Sequence, residues 1–134
     1  MRLKKAEQEF IALERVARLA TVDREGTPHN VPICPMLARG RMYFASAKDA
    51  KKVRNIEGNA SVALTFDVYA ETWSQLRGVM VQGEARILEG GTRFRQMRAL
   101  LYEKYRQYES SAPLEEGESV ILEVIPHHVF SWGL

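Results

Sequence analysis

The chain predicts an α+β fold built on a six-stranded antiparallel barrel. Strand-forming runs follow one another through hairpin-length turns, and helical segments are too few to link every pair of strands. Glu25-Gly26 and Arg39-Gly40 supply two of those turns. A doubly wound parallel sheet needs a helix between almost every pair of strands, and that pattern is missing.

The elements follow in order. Leu3, Phe10, Leu13 and Val16 or Ala17 recur at helical spacing among charges, which predicts an amphipathic helix over Leu3–Ala17. RLATVD, a turn at REGTPH, and NVPICPML then read as strand, turn, strand. Pro28, Pro32 and Pro35 lack the ladder donor, so this second strand is expected to be an edge, bulged, or turned toward a ligand. RMYFAS is a short third strand. Ser46-Ala47-Lys48-Asp49 has the S-x-x-D form of a capping box ahead of a helix over Asp49–Glu57, closed by Gly58-Asn59. ASVALTFD alternates with Val62, Leu64 and Phe66 on one face. A loop carrying Trp73 leads to the long strand GVMVQGEARIL. After Gly90-Gly91, Phe94, Met97, Leu101 and Tyr105 form a helical stripe running to Tyr108. SVILEVIP is the last strand, followed by a tail ending FSWGL.

Length and composition fit a single domain over residues 1–134, with 46% hydrophobic and 27% charged residues. A net charge of +2 gives no concentrated basic face, so nucleic acid is not expected as a partner. The charged start has no apolar h-region, and no run approaches the roughly 20 apolar residues of a membrane span. A cytoplasmic protein is expected, away from the membrane. Cys34 is the only cysteine, which excludes an internal disulfide and every multi-cysteine zinc site. Flanked by Ile33, Pro35 and Met36, it reads as a small core residue.

The sharpest chemical feature is SAKDAKKVRN, residues 46–55. On a helix, Lys48, Lys51, Lys52 and Asn55 share one side, close to a terminus whose free N–H groups favour an anion. A phosphate monoester suits such a place, although basic runs are more common on solvated helix faces. Motifs for dinucleotide binding, P-loop phosphate binding, the hydrolase nucleophile and zinc proteases are all missing. His127 and His128 are adjacent and are expected to point to opposite faces of a strand. Trp73 and Trp132 read as packing residues or as stacking surfaces for a planar ligand, and Arg77 as a surface arginine or an anion contact.

Three runs together carry a resemblance: ARLATVDREGTPHNVPICPML, MYFASAKDAKKVRNIEGNASVALTFD and WSQLRGVMVQGEARIL. Their order resembles the pyridoxamine 5′-phosphate oxidase-like superfamily of flavin-binding split barrels, from Arg18 onward. The resemblance implies a homodimeric split barrel with flavin mononucleotide (FMN) in clefts between subunits, and a small-molecule redox substrate. It implies Lys51 and Lys52 as phosphate ligands with Ser46 as helper, Ala50 standing where the family places serine. It implies that His29, Asn30, Val31, Pro32 and Ile33 run beside the ring system. Trp73, Gln75 and Arg77 would reach the cofactor, often from the partner subunit, with Trp132 packing near the cleft. Gly78 stands where some members carry glutamine. Such a flavin supplies the redox chemistry, so the lack of an acid–base dyad is no obstacle. The alternatives on the same fold are a deazaflavin-dependent reductase, a non-catalytic flavin binder, and a haem-handling protein using His127 or His128.

Overall fold

A computed structural model describes residues 2–134. Helix α1 (Lys5–Leu13) leads into β1 (Ala17–Val22), β2 (Pro28–Ile33), β3 (Met36–Ala38) and β4 (Arg41–Ala47). Helix α2 (Lys51–Gly58), β5 (Ser61–Val68), a 3-10 turn (Trp73–Gln75) and β6 (Arg77–Leu88) follow. Helices α3 (Gly91–Lys104) and α4 (Tyr108–Ser111) precede the long β7 (Ser119–Trp132).

All pairings are antiparallel, in one seven-stranded sheet ordered β2-β1-β5-β6-β7-β4-β3. The two edge strands, β2 and β3, are separated along the chain only by Cys34 and Pro35. The sheet therefore curls until its edges meet at that corner, which makes a barrel split along one seam. The sequence reading gave six strands because it ran β2 and β3 together. The two residues between them turn the chain from one edge to the other. Pro28 and Pro32 sit on the edge strand β2, where a missing donor interrupts little of the ladder.

Leu19, Leu64, Phe66, Val79 and Val81 fill the barrel and are fully buried. Burying a side chain of this size contributes about 1.5–3 kcal/mol. Helices α1 and α2 enter the same core, α1 through Phe10 and Ile11, with Leu3 just ahead of it, and α2 through Val53 and Ile56. The carboxylate of Glu7 accepts the Lys4 N–H at 2.8 Å and the Ser131 hydroxyl at 2.7 Å, tying α1 to β7. A second apolar cluster lies outside the barrel, where Phe94 and Leu101 of α3 cover Tyr43 and Ile121. Glu123, 3% exposed, fastens this layer. It accepts from the Tyr43 hydroxyl at 2.7 Å and from Arg93, with Arg41 at 3.4 Å. Burial pushes its carboxyl up, but Tyr43 and the two guanidiniums outweigh that and hold it below its usual value.

Several local expectations are corrected. Helix α1 ends at Leu13, because the chain is extended at Glu14. Helix α2 begins two residues after Asp49, with Ala50 as an N-cap that makes no side-chain bond. The Ser46 hydroxyl instead donates to the Ala47 carbonyl at 3.0 Å, so the capping box does not form. Lys48 lies in the turn before α2 and shares no helix face with Lys51 and Lys52. Gly58 is the last residue of α2 rather than a left-handed cap. Helix α3 stops at Lys104, although Tyr105 continues its buried stripe. Strand β7 runs on through Trp132, taking in most of the expected tail. Cys34 is exposed, because it occupies the corner between β2 and β3 instead of a strand interior. No described helix is long and apolar enough to cross a membrane.

Candidate functional site

The first two turns of α2 are the most distinctive chemical surface. Ala50 leaves the helix terminus without a side-chain cap, and there is no acidic residue in the first turn. No side chain caps the free N–H groups there, at the positive end of the helix dipole. Lys51 is exposed and reaches Asp23 only at 3.8 Å. Asp23 is engaged elsewhere, accepting the Glu25 and Thr27 N–H groups at 2.9 Å each. Lys52 is half-buried and has no ion pair among the described residues. Burial pulls its ammonium below the usual lysine value. Asn55, one turn on, points inward and donates to the Thr21 hydroxyl at 3.0 Å, which fixes α2 against β1. A cavity of about 630 Å³ beside Lys51 also holds Arg24 and Arg54, but Asp23, Glu25 and Glu57 balance them. Lys52 does not line that cavity.

Strand β2 starts at the same end of the barrel and runs the length of β1, Pro28 pairing with Val22 and Ile33 with Ala17. His29 pairs with Thr21, and Asn30 pairs with Ala20. His29 and Val31 are half-buried, Asn30 and Pro32 are exposed, and Ile33 is in the core. As an edge strand, β2 leaves one line of backbone groups without ladder partners. Ser46 is 8% exposed at the end of β4, opposite Val120.

Trp73, Gln75, Arg77 and Trp132 collect elsewhere. Trp73 is 73% exposed on the turn between β5 and β6, and its indole N–H donates to Tyr69 at 3.5 Å. Gln75 is exposed. Arg77 opens β6 and lays its guanidinium over the Phe10 ring at 5.7 Å. Trp132 pairs with Gly78, and a Cβ on residue 78 would stand 2.3 Å from the indole Cζ2. The tryptophan occupies the space a side chain at 78 would need.

Strand β5 separates the two groups. Lys51 reaches Asp23 just past the end of β1, on the Ser61 side of β5, whereas Val68 pairs with Arg77 at the far end. Eight extended residues span roughly 23 Å. One chain thus carries a basic group toward one end of the strand and an aromatic group at the other.

Between them lies an open sheet face. Asn30, Ala20, Ala63, Gln82 and His128 form one rung across five strands. Pro32, Arg18, Thr65, Met80 and Phe130 form the next. None of these ten residues is buried, and Phe130 is 58% exposed. His127 and His128 do not point to opposite sides as expected. The register shifts between Gln82 and Gly83, leaving His127 as the extra residue of a bulge. Both histidines line one cavity of about 430 Å³ on this face, with Ala20, Val22 and Ala63.

The profile of the pyridoxamine 5′-phosphate oxidase family matches residues 3–133. A comparison with curated proteins returned no match. Among solved structures, a conserved hypothetical protein of Mycobacterium tuberculosis superposes with a TM-score of 0.83 at 20% identity, covering 97% of this chain and 84% of that one. The haem storage protein HutZ of Vibrio cholerae gives 0.80 at 20% identity, covering 97% and 94%. An F420 reductase gives 0.76 at 20% identity, covering 96% and 98%. These likenesses confirm the barrel architecture. With the family profile spanning nearly the whole chain, the protein belongs to the pyridoxamine 5′-phosphate oxidase family.

Proposed function

We propose that this protein is a homodimeric oxidoreductase that binds flavin mononucleotide, with the phosphate at the N-terminus of α2. The observation that carries the reading is Lys52, half-buried beside an uncapped helix terminus and without a carboxylate partner among the described residues. That donor set fits a phosphate dianion, which would pair with Lys52 and Lys51 and accept the free N–H groups. A bound flavin supplies the group that takes up and passes on a hydride or electrons.

The chain's own residues bind and orient it. Strand β2, from His29 to Ile33, offers unpaired edge backbone to the polar rim of a planar ring. Trp73, Gln75 and Arg77 lie by the Val68 end of β5, at the other end of that strand from Lys51 and Lys52. The account therefore places them at the site of the other copy, with the open sheet face between Pro32 and Phe130 as the isologous contact. Trp132 would border that cleft, and a small redox substrate would occupy the exposed side of the ring.

A second reading is favoured by the bulge. It brings His127 and His128 to one largely apolar cavity, an arrangement that suits haem on the same face. The absorption spectrum of the purified protein, with mass analysis of whatever it releases, separates these readings. Flavin mononucleotide supports the first, a Soret band the second, and a deazaflavin coenzyme would keep the fold and change the cofactor. Lys51→Ala/Lys52→Ala is expected to weaken flavin mononucleotide by about 10–100-fold and leave riboflavin unchanged. Equal losses for both ligands would overturn the phosphate assignment.

A further inference from the structure

A cavity of about 550 Å³ opens between the start of α1, the β3–β4 turn and the middle of β7. Arg2, Arg39, Arg41 and His127 line it together with Gln8 and Pro126, and no carboxylate does. This contrasts with the cavity beside α2, where acids and bases balance. Arg41 is shared with Glu123 at 3.4 Å, and the His127 ring lies 3.6 Å from the Glu84 carboxylate. Arg2 and Arg39 have no ion pair among the described residues.

Arg39 stands where the backbone disfavours it. Its φ is 52° and that of Gly40 is 77°, so both central residues of this two-residue hairpin are left-handed. Asn, Asp and Gly suit such a position, and an arginine does not. Arg39 is exposed and lines both this cavity and the neighbouring one beside Tyr43 and Arg93.

We propose that this cavity is a second anion site, separate from the N-terminus of α2. Its ligand is a small molecule carrying two or more phosphate or carboxylate groups. Guanidinium forks pair with either group in bidentate fashion, and the volume falls in the range of small-ligand sites. The assignment stands whether or not α2 holds a flavin.

Calorimetric titration with inorganic pyrophosphate, and separately with citrate, tests it and distinguishes phosphate from carboxylate ligands. Wild type binds at least one of the two. Arg39→Asn raises the melting temperature by about 2–4 °C, because asparagine suits the turn, yet weakens the anion by roughly tenfold or more. Arg2→Ala weakens it several-fold at an unchanged melting temperature. Lys51→Ala/Lys52→Ala retains wild-type affinity at this site. The proposal is overturned if neither anion binds wild type, or if Arg39→Asn and Arg2→Ala both keep full affinity. It is overturned equally if binding disappears in the lysine variant alone. A lower melting temperature in Arg39→Asn would show that the arginine serves the turn, against the proposal.

Discussion

Lys104 sits half-buried with its ammonium donating to the carbonyls of Glu14 and Pro35, 2.8 Å from each. Burial, helped by the neighbouring charge of Arg15, lowers its pKa to about 8. Next to it, burial raises Tyr105 above the usual phenol value, and raises Tyr108 to about 12. These shifts act on stability in opposite directions. Between pH 8 and the ordinary lysine value of 10.5, the unfolded chain holds a proton that the native Lys104 has lost, so stability rises with pH. Above pH 10 the unfolded tyrosines ionise while the native ones remain protonated, so stability falls. Urea midpoints measured against pH should climb from pH 8 towards 10 and decline beyond it. The climb should vanish in Lys104→Met. A midpoint that falls steadily from pH 8 would contradict this account. None of this was legible in the sequence, where Lys104 is one charge among several and Cys34 looked like a core residue. Both depend on the corner at Cys34-Pro35, which brings the end of α3 against the β2–β3 connection.

Helix α2 starts without the side-chain cap and the first-turn acid that favour a helix N-terminus. An N-cap alanine gives up about 1 kcal/mol available from serine or aspartate. The sequence suggested that Ser46 and Asp49 close this end, but β4 keeps Ser46 in the sheet and the helix starts later. The bare terminus is explained if a ligand phosphate completes it. Ala50→Asp should then raise the melting temperature of the unliganded protein by about 2–4 °C and weaken flavin mononucleotide by charge repulsion. Ala50→Ser should give a similar stability gain with little loss of affinity. If Ala50→Asp binds flavin mononucleotide as well as Ala50→Ser does, the phosphate lies elsewhere. Of the three readings the prolines allowed for the second strand, an edge, a bulge or a turn toward a ligand, the strand order shows the edge. Periodicity did not show where that strand breaks, because the break depends on which partner each half pairs with. The bulge at His127 was hidden for the same reason.

At the scale of the whole molecule, alternation and hairpin turns were enough to predict an antiparallel α+β barrel. They did not give the strand order, in which β2 and β3 become opposite edges that meet. Nor did they show the basic cavity, because Arg2, Arg39, Arg41 and His127 are scattered along the chain and form no local run. The candidate cofactor residues were legible as two groups only through family resemblance. The structure adds that Lys51 and Arg77 lie toward opposite ends of β5, and the proposed dimer requires a second copy to join them. Mixed dimers test that requirement most directly. Lys51→Ala/Lys52→Ala chains lack the basic half-site, and Trp73→Ala/Arg77→Ala chains lack the aromatic one. Each variant alone should bind little flavin mononucleotide. Refolding equal amounts together should restore about a quarter of wild-type capacity, one intact site per mixed dimer. Mixed dimers that form and recover no flavin would contradict the account, as would a monomer that binds flavin fully.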